Sequence, residues 1–116
     1  MNAKVRHFLS PDIDLDDPTA TIEDGSSYLL QAIVGPSDGD GGESLQFDVC
    51  TVDHLRRRLE SERLLWGHSL IVVEPILVGA LLKLVTDRIE RTSGASWPDV
   101  AAKLSKLGTY EYDEHL

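Results

Sequence analysis

The residues with the most suggestive spacing are acidic. Asp12, Asp14, Asp16 and Glu23 occupy positions 1, 3, 5 and 12 of a twelve-residue calcium loop. The surroundings argue against that chemistry. Position 6, which needs glycine for a sharp turn, is Asp17; position 7 is Pro18; and Ser10-Pro11 forbids the helix that should enter the loop. No metal is therefore expected. Cys50 is the single cysteine, with no basic neighbour in sequence to activate it, so it reads as a small strand or core residue and not as a nucleophile. His7, His54, His68 and His115 form no i, i+4 pair and have no second cysteine to complete a zinc set. The sequence has no GxGxxG, GxxxxGK[ST] or GxSxG, and the glycines at 39, 41 and 42 lie in an acidic stretch that opposes phosphate. No catalytic residue and no cofactor is expected. The one enzyme reading left pairs His54 or His68 with Asp48 or Asp53.

Charge is distributed unevenly. The chain of 116 residues carries a net charge of -9; residues 1–48 hold ten acids and two bases, residues 49–116 ten acids and nine bases. A negative field of this kind repels nucleic acid phosphate and anionic lipid and steers basic partners inward, in a salt-dependent way. Six of the acids, Asp12, Asp14, Asp16, Asp17, Glu23 and Asp24, fall within thirteen residues. Such crowding costs self-repulsion that folding alone does not explain. Asp38, Asp40 and Glu43 form a second acidic group. Arg56-Arg57-Arg58 is the only basic run, and in a helix its members point to different faces, so it reads as solvated.

The elements that must hold these residues follow from periodicity. Lys4 to Leu9 alternates and stops at Pro11, a first strand. Residues 10–27 read as an acidic loop of a length that is usually functional or disordered, anchored at most by Ile13, Leu15 and Ile22. Ser27 to Val34 is a strand ended by Gly35-Pro36; a Gly/Asp hairpin leads to the strand around Leu45, Phe47 and Val49. Thr51 suits the N-cap of a helix through about Glu62 that should lie on the sheet through Val52, Leu55 and Leu59, with Arg56/Glu60 and Arg58/Glu62 paired at i, i+4. Leu70 to Val73 is a short buried-type strand, and Pro75 fits the first turn of a helix to about Arg91. The apolar residues of this second helix spread beyond a one-sided stripe, so it is either sandwiched between sheet and third helix or meets another subunit.

Ser96 and Asp99 form a capping-box variant for a third helix that buries Val100, Ala101, Leu104 and Leu107, with Gly108 at C′. Tyr110 and Tyr112, alternating with Glu111 and Asp113, give a last strand. The expected fold is one α+β domain over residues 1–116, an antiparallel or mixed sheet of about five strands with three helices mainly on one face. No stretch approaches the ~20 apolar residues of a transmembrane helix. A lone cysteine and a first decad without an apolar run fit a reducing, cytoplasmic setting.

Three blocks in this order, ESLQFDVCT (Glu43 to Thr51), WGHSLIVVE (Trp66 to Glu74) and GASWPDVAAKLSKLGTYEYDEH (Gly94 to His115), with a weaker SPDIDL (Ser10 to Leu15), resemble the immunity protein 8 family of bacterial polymorphic toxin systems. The chain departs from that pattern at Val52 and His54 after the Cys-Thr pair, and at Pro75-Ile76-Leu77 after the WGHSLIVVE block. The resemblance implies a small non-enzymatic cytoplasmic protein that binds a cognate toxin and blocks it. Joined to the charge pattern, it implies an acidic docking surface drawn from Asp12, Asp14, Asp16, Asp17, Glu23, Asp24, Asp38, Asp40 and Glu43, facing a basic toxin. The alternative is a small regulatory module that forms a homodimer through its apolar second helix.

Overall fold

The computed structural model describes residues 1–111. Their elements are β1 (Ala3–Leu9), β2 (Thr21–Ile22), β3 (Ser27–Pro36), β4 (Glu43–Thr51), α1 (Val52–Glu62), β5 (Leu70–Val73), β6 (Ile76–Leu77), α2 (Val78–Glu90), α3 (Trp97–Leu104) and β7 (Thr109–Tyr110). The expected alternation at Tyr112 and Asp113 lies outside the described residues. The architecture is the α+β arrangement expected, a five-stranded mixed sheet in the order β1-β3-β4-β5, with β7 on the same edge of β4 as β5, and a separate β2-β6 pair. β1, β3 and β4 pair antiparallel, whereas β4 and β5 run parallel, because α1 returns the chain to the end where β4 began.

Period-two alternation sets the buried face. Leu30, Ala32 and Val34 of β3 and Leu45, Phe47 and Val49 of β4 are buried on one side of the sheet. Against them pack Val78, Leu81, Val85 and Ile89 of α2, spaced three and four apart, and Val100 and Leu104 of α3. α3 starts at Ser96, whose hydroxyl accepts the Asp99 N–H at 3.5 Å, with Pro98 in its first turn. Gly108 does not take the C′ position expected of it, since α3 ends at Leu104 with Ser105 as its C-cap. It sits against β4, where an added Cβ would lie 2.8 Å from Phe47 Cε1 and 2.9 Å from the Gln46 carbonyl.

Four further expectations change. α2 begins at Val78 and not at Pro75, because Ile76 and Leu77 extend to pair with Ile22 and Thr21. Thr51 occupies the N-cap position of α1, but its side chain makes no cap bond and its Oγ1 accepts the Gly25 N–H at 2.8 Å instead. α1 buries none of its residues: Val52 and Leu59 remain 43% and 41% exposed. Of its expected ion pairs Arg58–Glu62 forms, at 2.7 Å, while Arg57 joins Asp53 at 2.8 Å and Arg56–Glu60 does not form among the described residues.

Candidate docking surface

The acidic loop is built as a series of side-chain-to-backbone turns. Ser10 Oγ accepts the N–H groups of Asp12 and Ile13 at 3.1 and 3.2 Å. Asp12 Oδ2 accepts the Leu29 N–H at 2.8 Å, tying the loop to β3. Asp14 Oδ1 accepts the Asp16 N–H at 3.0 Å, and Asp17 Oδ1 accepts the Thr19 N–H at 3.0 Å and its hydroxyl at 2.6 Å. Aspartate turns of this kind hold a chain without secondary structure. The Thr19 hydroxyl and N–H also stabilise the charged form of Asp17 and lower its pKa below the ordinary 3.8.

The loop is also packed. Ile13, Leu15 and Ala20 rest against the core, and Ile22 of β2 is 1% exposed. Alternation in this stretch therefore turns Ile13 and Leu15 inward and leaves Asp12, Asp14 and Asp16 exposed. Loop carbonyls cap α2: the Val78 N–H donates to Ala20 O at 2.7 Å and the Gly79 N–H to Pro18 O at 3.1 Å. Since α2 has no side-chain N-cap, the loop satisfies donors that would otherwise be orphaned. Gly79 permits this approach, as a Cβ there would stand 3.1 Å from Pro18 Cβ. The Asp17–Pro18 turn thus lies over the positive pole of the helix, where negative charge is favoured.

All six loop carboxylates, on Asp12, Asp14, Asp16, Asp17, Glu23 and Asp24, belong to exposed residues. The second acidic group lies elsewhere. Asp12 sits beside Leu29 near the start of β3, whereas Asp38, Asp40 and Glu43 belong to the β3–β4 turn at its far end. Leu29 and Pro36 lie seven residues apart, ~23 Å at about 3.3 Å per residue, and Glu43 pairs with Val34, so the nine acids fall into two groups along the β3–β4 ribbon. The turn is held by Arg6, at a bulge in β1, whose guanidinium donates to the carbonyls of Pro36, Gly39 and Gly41 at 2.7, 2.6 and 3.2 Å. Glu43 Oε1 accepts Trp97 Nε1–H at 3.2 Å, which gives this carboxylate a structural partner.

The pairing that the enzyme reading needs is not formed among the described residues. Neither His54 nor His68 hydrogen-bonds Asp48 or Asp53, and Asp53 is engaged by Arg57. Cys50 is buried, and burial raises its pKa, the direction opposite to activation. Among the described residues no cluster of His, Cys, Asp and Glu is placed to hold a metal ion, and no helix is long and apolar enough to cross a membrane. α2 turns most of its apolar residues to the core and keeps Leu84 exposed at 58%. Two exposed apolar residues between α1 and β5 stand outside the candidate docking residues read from the sequence: Trp66, 90% exposed, and Leu64, 63% exposed. The signal was there, since both residues lie beyond the Val52/Leu55/Leu59 stripe and Gly67 follows at once. Exposed tryptophan is a residue type that interfaces favour.

The family model described as Immunity protein 8 matches residues 3–115. No curated protein and no solved structure matches the chain.

Proposed function

The chain belongs to the immunity protein 8 family, and from that premise we propose that it binds a cognate bacterial toxin in the cytoplasm and neutralises it by occlusion, with no chemistry of its own. The docking charge is supplied by Asp12, Asp14, Asp16, Asp17, Glu23 and Asp24, and the toxin face that meets them is basic. One observation carries this reading: the acidic loop is ordered by its own turns and by packing on α2, so its like charges are held in place before any partner arrives. Preorganised charge lowers the ordering cost of binding and speeds encounter. Asp38, Asp40 and Glu43, at the far end of the sheet, touch the same toxin only if it spans the β3–β4 ribbon.

The test is the association rate with the toxin domain encoded beside this gene, for wild type and the Asp14→Asn, Asp16→Asn, Asp17→Asn triple variant at two salt concentrations. Asparagine keeps the acceptor oxygen of each turn and removes only the charge. Association should slow by roughly tenfold at low salt, at the lower end of electrostatic steering effects, and by less at high salt. Equal rates at both salts would remove the loop from the interface.

A further inference from the structure

The two edges of the sheet are treated differently. Along β1 the edge is guarded: the Val5 N–H donates to Glu90 Oε2 at 3.0 Å, the Ala3 N–H to the Thr92 carbonyl at 3.0 Å, and the bulge at Arg6 breaks the register. At the opposite edge β5 is paired, among the described residues, on its β4 side alone. Among the described residues its outward N–H and C=O groups have no partner, which leaves a template for a further strand.

A groove runs beside that open edge. It has a volume of about 310 Å³ and is lined by consecutive residues of β5, including Ile71 and Val72, and by Leu84, Val85 and Arg88 of α2, with Leu107. The volume is at the small end of the ~300–1,000 Å³ typical of ligand pockets, enough for side chains but not for a folded element. Val72 and Leu84 stay 45% and 58% exposed on its rim. Among the described residues Arg88 is the only charged one in the lining, and it makes no ion pair or hydrogen bond with any of them. An unpaired strand edge, an apolar groove and one free guanidinium define a complement: an extended chain with apolar side chains at alternate positions and a carboxylate where it meets Arg88.

We propose that β5 and α2 receive an extended, apolar, carboxylate-bearing segment of the toxin, which adds to the sheet as a strand beside β5. This rests on the immunity reading and gives it a second contact, one that governs how long the complex lasts. A second copy of this chain fits the groove less well. Pairing β5 with β5 would bring two molecules of net charge -9 together, with an Arg88 from each at the seam and, among the described residues, no acid in the lining to answer either. A carboxylate from the toxin answers Arg88 directly.

The proposal is tested on the complex of the full chain with the toxin domain encoded beside its gene. Hydrogen exchange at Ile71 to Val73 should slow in the complex, a readout that needs no variant. Leu84→Asp and Arg88→Glu alter exposed side chains, and each should raise the dissociation rate about tenfold or more, as loss of an interface anchor does. The triple asparagine variant should instead change the association rate. If wild type binds tightly while β5 exchange and both dissociation rates stay unchanged, the groove is excluded and the immunity reading survives. A toxin domain that does not bind wild type overturns both. A concentration-dependent dimer of the free protein that Leu84→Asp abolishes would give the groove to a second copy and overturn the proposal.

Discussion

Replacing Ile22 with alanine asks whether the acidic loop is part of the cooperative fold or an attachment to it. Ile22 is 1% exposed and pairs with Ile76 just before α2 begins. Removing three carbons from such a site costs lost transfer energy plus a cavity, about 3 kcal/mol within the usual ~2–5 for buried isoleucine to alanine. Unfolding entropy near ~2.1 cal/mol/K per residue gives about 0.24 kcal/mol/K for a chain of this length. The melting temperature should therefore fall by about 12 °C in a circular-dichroism or calorimetric melt. Thr21→Ala, an exposed change in the same two-residue strand, should cost no more than about 0.5 kcal/mol and controls for strand propensity. A fall of less than about 3 °C for Ile22→Ala would show that β2 and β6 separate without the core noticing. The Asp12 to Asp24 carboxylates would then ride on a loosely held segment, and preorganisation would no longer explain fast docking.

Two further outcomes test the packing and the loop electrostatics. Gly108→Ala should destabilise by about 1–3 kcal/mol in chemical denaturation, because its Cβ meets Phe47, the Gln46 carbonyl and Leu45 within 2.9 Å; an unchanged midpoint would mean that β7 approaches β4 less closely. Thr19→Ala should raise the Asp17 pKa toward 3.8, since the Thr19 hydroxyl and N–H are the main causes of its depression. Because the folded pKa is the lower one, the stabilisation is present above 3.8 and is lost as pH falls through the folded value, so the variant should show a weaker acid dependence from this site. Carboxyl-detected NMR titration of Asp17 reads the shift directly, and an identical titration curve in both proteins would refute the turn geometry.

Sequence patterning revealed the layers of this molecule because burial on one face imposes a period that neighbours in the chain must keep. Leu45, Phe47 and Val49 announce a half-buried strand, Leu81, Val85 and Ile89 a helix lying on it, and Ser96 with Pro98 the start of α3. The same logic misplaced the start of α2. Pro75 suits a first helical turn, but Ile76 and Leu77 gain more by pairing with β2, a partner more than fifty residues away that no local window contains. Thr51 failed as a cap for a related reason, as the Gly25 N–H competes for its hydroxyl across the fold.

For the candidate surface the division is sharper. Residue types and spacing alone determined a cluster of acids in a stretch too polar to be core and the resemblance that the family match bears out. Only the tertiary structure decided that the nine acids divide between opposite ends of β3 and β4, that Asp14, Asp17 and Asp24 also hold the loop backbone while Asp12 ties it to β3, and that the apolar residues of α2 mostly turn inward. It alone left β5 open beside Arg88. The reason is that composition and period act along the chain, whereas surface charge density and an unpaired strand edge are properties of neighbours in space, fixed by strand order and register.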